Sequence, residues 1–72
     1  ALGEEVTMDD LVETNGLMYK KFTNIPFTGT TTGQTQGTYK DGVKDGPWVG
    51  YNSDGTVNEE ETGTYKNGKK VD

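Results

Sequence analysis

Catalysis needs side chains that ionise, attack or ligate, and this sequence offers few of them. It has no histidine and no cysteine. Acid–base or nucleophilic work would therefore fall to Asp, Glu, Lys, Tyr, Thr or the lone serine, Ser53. Glu59 and Glu61 could in principle flank a glycosidic bond. On one strand they would share a face about 7 Å apart, with nothing in the sequence to enclose them, so solvated edge charge is the plainer reading. The segment Gly50 to Glu61 matches much of an EF-hand calcium loop. Asn52, Asp54 and Asn58 stand at the third, fifth and ninth positions, Gly55 at the sixth, Val57 at the eighth and Glu61 at the twelfth. Against it, the first position is Gly50 instead of Asp, Pro47 interrupts the would-be entering helix, and Thr62-Gly-Thr-Tyr65 reads as strand. A hairpin turn explains Asn52 to Gly55 fully. The glycines form no phosphate loop, because no helix start comes after them. No catalytic, metal or cofactor-binding residue and no cofactor are expected, and the chain reads as a non-enzyme. What remains is recognition: Tyr39, Lys44, Trp48, Tyr51 and Tyr65 are the candidate interaction surface. The competing reading makes the rings of the shared face the core and leaves Tyr51, on the other face, as the open ring.

Those residues must be positioned by a small chain. Its 72 residues hold one domain, marginal on surface burial alone, and without cysteine no disulfide can staple it. Only 28% of residues are hydrophobic, while there are 11 glycines and abundant threonine. That composition leans toward disorder, but four Tyr, two Phe and one Trp give a thin core large groups to bury. The net charge is −5, with seven lysines and no arginine. This disfavours nucleic acid, which calls for phosphate neutralisation and arginine forks, and an anionic membrane surface would repel the chain. No apolar run approaches transmembrane length or a signal-peptide core. Ala1 in place of Met fits a processed, exported or periplasmic protein and equally a trimmed chain.

Along the chain, residues 1–6 carry no pattern and are expected to fray. Thr7-Met-Asp-Asp10 offers a helix start, with Thr7 as N-cap, so a short helix is expected over 7–14, stopped by Asn15-Gly16. Leu17 to Phe22 and Phe27 to Thr32 then read as an opening hairpin over 17–32. Its loop Thr23-Asn-Ile-Pro26 sets Phe22 opposite Phe27 and Tyr19 opposite Thr30. Gly33 is a bend or bulge. Three further turns are marked by Asp41-Gly42, Asp54-Gly55 and Asn67-Gly68, dipeptides suited to the two-residue type I′ hairpin. If all three are such loops, Tyr39 faces Lys44, Lys44 faces Tyr65, and Tyr65 faces Lys70. Gly37, Gly46 and Gly63 then form one row, with Thr35, Trp48 and Glu61 in the row beyond. Glycine rows need something above them, and Tyr39, Trp48 and Tyr65 lying across neighbouring strands would supply it. The opposite face carries Gln36, Thr38, Asp45 and Thr64 with Val49 and Tyr51. Pro47, lacking a ladder donor, belongs near an edge or bulge.

The stretch Gly37-Thr-Tyr-Lys-Asp-Gly-Val-Lys-Asp-Gly46 recurs as Gly63-Thr-Tyr-Lys-Asn-Gly-Lys-Lys-Val-Asp72. Extended through Pro47-Trp48, Tyr51 and Asp54-Gly55, the first copy resembles the bacterial variant of the MORN (membrane occupation and recognition nexus) repeat, found in antitoxin-like proteins. Asn15 to Gly29 is similar to the segment that opens such arrays, and the resemblance covers about Asp10 to the C-terminus. It implies a mainly β fold: an elongated, single-layer antiparallel meander of consecutive hairpins over residues 33–72, after the short helix and opening hairpin. Two departures stand out. The spacing between copies is longer around Thr56 to Thr62, where Glu59-Glu-Glu61 sits, and Asp72 occupies the place of Gly46. Stacked repeats bury their faces on one another, so the exposed final strand raises the odds of pairing with another chain. The expected function is a non-catalytic protein-interaction or structural module, inhibitor- or antitoxin-like in one version, with a protein partner or a second copy. The alternative is a glycan- or lipid-headgroup-binding module using exposed aromatics.

Overall fold

Three Asx-Gly dipeptides turn tight hairpins. In the computed structural model, which describes residues 4–72, both residues of each pair are left-handed: φ is 54° and 83° at Asn15-Gly16, 50° and 88° at Asp41-Gly42, and 52° and 85° at Asn67-Gly68. These are the type I′ geometries whose twist matches that of paired strands. They join β2 (Leu11–Thr14) to β3 (Leu17–Lys20), β5 (Thr35–Lys40) to β6 (Val43–Lys44), and β8 (Gly63–Lys66) to β9 (Lys69–Lys70). Tyr39 accordingly faces Lys44, and Tyr65 faces Lys70, as the turn arithmetic requires.

The expected helix over 7–14 is not formed. Only Met8–Asp10 make a single 3-10 turn, Thr7 makes no side-chain cap, and Leu11–Thr14 pair with β3 instead. A helix of two turns is marginal on its own, and Asn15-Gly16 offers those residues a ladder two positions away. The expected hairpin over 17–32 is lost for the same reason. With β3 already paired to β2, only the bridge Tyr19–Pro26 and the bond from Phe27 N–H to Met18 C=O (2.9 Å) tie it to the segment after the loop. Strand β4 (Gly29–Thr32) pairs with β5 and, in parallel, with β1 (Glu4–Thr7). Of residues 1–6, expected to fray, 4–6 therefore belong to a strand, and 1–3 lie outside the described residues. The main sheet is mixed and runs β1-β4-β5-β7-β8-β9, with β6 beside β5 and β7 spanning Gly46–Gly50.

Two irregularities reset the expected register. Between Lys44, opposite Tyr39, and Val49, opposite Gln36, the chain carries two extra residues, Asp45 and Gly46. The Asp45 N–H donates to Thr38 C=O at 3.0 Å, and Gly46 adopts φ 98°, open to glycine at little cost. Pro47 comes directly after this bulge. Because two residues restore the pleat, Trp48 stays on the face of Tyr39 but moves onto Gly37, where an added Cβ would stand 2.1 Å from the indole. The second reset is at Asp54-Gly55, which is not a two-residue turn. Gly55 N–H donates to Asn52 C=O (2.9 Å), Asn52 N–H to Thr56 C=O (2.7 Å), and Gly55 alone is left-handed. Next comes a second turn, in which Asn58 Oδ1 accepts the N–H of Glu60 (3.0 Å) and of Glu61. Strand β8 therefore meets β7 with Tyr65 opposite Gly46 and Gly63 opposite Trp48, in place of Tyr65 opposite Lys44.

The core is Val6, Leu11, Phe27, Tyr39 and Trp48, with Met8, Met18 and Tyr65 packed against it. Leu11 and Met18 come from the β2–β3 hairpin, a second small sheet laid beside Tyr39. A ring of backbone bonds anchors it: Phe27 N–H to Met18 C=O, Met18 N–H to Gly42 C=O, and Gly42 N–H to Phe27 C=O. The implied elongated shape is replaced by a radius of gyration of 11.8 Å and extents of 33 × 26 × 24 Å, close to the roughly 11 Å of a compact domain this long.

Candidate interaction surface

Four rings line up across the sheet, each edge-on to the next. Centroids are 6.1 Å apart for Phe27–Tyr39, 4.9 Å for Tyr39–Trp48 and 6.4 Å for Trp48–Tyr65, the arrangement favoured by ring quadrupoles. The indole N–H of Trp48 donates to Thr38 C=O at 3.0 Å. Lys44 Nζ sits 4.8 Å from the Trp48 ring and 4.7 Å from that of Tyr65, a cation held between two faces. The Tyr39 hydroxyl points at Met8 Sδ, 4.0 Å away. Its pKa is pushed above the usual tyrosine value by burial first and by the Glu13 carboxylate second.

The five candidate residues divide accordingly. Tyr39 and Trp48 are each 3% exposed and serve as core. Lys44 and Tyr65 are half-buried and edge an open cleft of about 320 Å³ between the β2–β3 hairpin and the sheet, which Met8, Met18, Glu13 and Glu61 also line. Tyr51 stands apart, half-buried, in a bridge to Val57 with Gln34 Nε2 donating to its carbonyl at 2.9 Å.

The acidic segments serve their turns. Asp54 Oδ1 accepts from the Thr56 hydroxyl (2.7 Å) and the Thr56 N–H (3.0 Å), and these bonds, the hydroxyl's first, lower its pKa. Glu61 Oε2 accepts from Asn58 Nδ2 at 3.0 Å. Glu59 and Glu61 lie in a turn, so the shared strand face expected of them does not exist. Among the described residues no three acidic side chains converge as metal ligands would.

The most exposed apolar group is one to which the expected opening hairpin assigns a partner. Phe22 is fully exposed, Ile25 is 72% exposed, and Phe22 holds φ 67°, a backbone region that bulky residues rarely occupy. The loop is fixed from within. Thr23 donates to Lys20 C=O through its N–H (3.1 Å) and its hydroxyl (2.7 Å), and Lys20 pairs with Glu4. A cleft of about 370 Å³ runs beneath it, lined by Glu4, Lys20, Ile25, Pro26, Thr28 and Asp41 among others. The signal that could have found it was Asn15-Gly16. Read as a hairpin turn, it gives β3 a partner and leaves Phe22 without one. No family model, curated protein or solved structure compared with the chain matches it.

Proposed function

We propose that this chain is a non-catalytic protein-interaction module, built from hairpins of the MORN-like kind, that engages a protein partner through the Lys21–Thr28 loop. The observation that carries the reading is Phe22. It is an aromatic ring held fully in water, on a backbone conformation that costs stability, by a loop whose own hydrogen bonds keep it there. Strained conformations persist where the surroundings impose them and cluster at functional positions, and exposed aromatics are the usual anchors of protein interfaces. Ile25, three residues on, adds a second apolar contact. A proteinaceous inhibitor, antitoxin-like in its logic, is one version of this reading. The alternative, a glycan- or lipid-headgroup-binding module using exposed aromatics among Tyr39, Trp48, Tyr51 and Tyr65, loses two of those rings, Tyr39 and Trp48, to the core.

The test is comparative capture from the native source with the wild-type chain and with Phe22→Ser and Ile25→Ser as baits. A protein retained by the wild type and lost from both variants, while their circular dichroism is unchanged, is the expected result. Identical capture by all three baits overturns the reading.

A further inference from the structure

Beyond the Phe22 loop, the main sheet ends on two strands that nothing among the described residues covers, and their charges are opposite. At one end β1 presents Glu4 and Glu5, with Asp9 and Asp10 in the turn behind it, all exposed. At the other end β9 presents Lys69 and Lys70, with Lys66 directly across the ladder, also exposed. Among the described residues the Lys20–Glu4 pair is the only ion pair, so Glu5, Asp9, Asp10, Lys66 and Lys69 carry no internal counter-charge. Unpaired edges are templates for another strand. Like charge at both ends would block self-pairing, and opposite charge invites it.

We infer that the partner which fits these edges is a second copy of the chain, added head to tail, the basic β9 of one molecule against the acidic β1 of the next. Direction agrees with charge. Strands β4, β5, β7, β8 and β9 alternate antiparallel, and β1 runs parallel to β4, so β1 and β9 point the same way. A copy carried along the sheet therefore pairs in parallel and keeps every aromatic face on one side. The contact is heterologous: it uses two different surfaces and leaves one of each free at the ends of the growing array. Two to four paired residues make a weak ladder, so the charges decide whether it forms. Asp72 works against the basic edge only in part, since its carboxylate accepts the Thr64 N–H at 2.9 Å.

Sedimentation of the 72-residue chain from about 10 µM to about 1 mM, in about 20 mM and about 300 mM salt, tests this, because exposed charges are screened over that range. The expected result is a sedimentation coefficient that climbs with concentration without levelling at a dimer. Association should weaken on the order of tenfold in the higher salt. Charge reversal separates this from other modes. Lys66→Glu with Lys69→Glu makes both edges acidic, and Glu5→Lys with Asp9→Lys and Asp10→Lys makes both basic. Each variant alone should stay monomeric, and an equimolar mixture should associate again. A monomer at every concentration and salt overturns the inference. So does association that levels at a dimer, ignores salt or survives either reversal. Phe22→Ser leaves both edges intact and should associate like the wild type, so failure here and failure of the loop reading are told apart.

Discussion

Trp48 lies on the backbone of Gly37 so closely that no other side chain fits between them; a Cβ there would meet Cδ2 at 2.1 Å and Cε2 at 2.3 Å. Gly37→Ala must push the indole off its bond to Thr38 C=O and away from the Tyr39 edge. Overpacking of this kind costs about 1–3 kcal/mol, a large share of a small domain's stability, and should appear as a lowered urea midpoint tracked by Trp48 fluorescence. Titration pulls from both ends of the pH scale. Asp54 and Asp72 have carboxyls lowered from 3.8, the first chiefly by the Thr56 hydroxyl and the second chiefly by the Thr64 N–H. Their contribution is full above the unfolded value and is lost as pH falls through the lower folded values. Tyr39 is raised from 10.0, so its contribution is full below that value and is lost as pH climbs through the folded one. Urea midpoints against pH should therefore fall at both extremes, with Thr56→Val flattening the acid limb and Tyr39→Phe the alkaline one.

Two of the three dipeptide hairpins were legible, at Asp41-Gly42 and Asn67-Gly68, while Asn15-Gly16, the same kind of turn, was read as a helix stop. The faces were legible too, since both register shifts were of two residues and kept Tyr39, Trp48 and Tyr65 together. The shifts themselves were not legible. Asp45-Gly46 looks like ordinary strand until Thr38 C=O takes the Asp45 N–H, and Asp54-Gly55 is the same kind of pair as its neighbours yet turns with a different geometry. At Thr7 to Thr14 the capping signal lost to the neighbouring hairpin, because pairing with β3 places Leu11 in the core. The exposure of Phe22 was hidden by the same step: with β2 read as helix, Phe22 appeared to have a strand partner. The loop it occupies now makes its own prediction. Phe22→Asn suits the left-handed backbone and gives up no packing, so it should raise stability by roughly 0.5–1 kcal/mol in urea denaturation while abolishing partner capture. A fall in stability would mean that the ring supports the fold.

For the molecule as a whole, the second layer explains how so thin a sheet holds together: Leu11, Met8 and Met18 close over rings that a single layer would leave wet. The chain reaches that layer by an unusual route. It leaves β1, makes the β2–β3 hairpin, and only then returns as β4 to pair with β1 in parallel, Glu4 against Gly29. The three tight hairpins can each close locally, within about 1–10 µs, but β1 has no local partner at all. On the ribosome it emerges before its partner and must wait, acidic and unpaired, until Gly29 to Thr32 has come out after it. Once β4 and its neighbours are assembled, β1 docks against a finished edge. Its departure, the reverse of that step, would uncover Val6 and loosen Glu4 from Lys20 while leaving the tight hairpins intact.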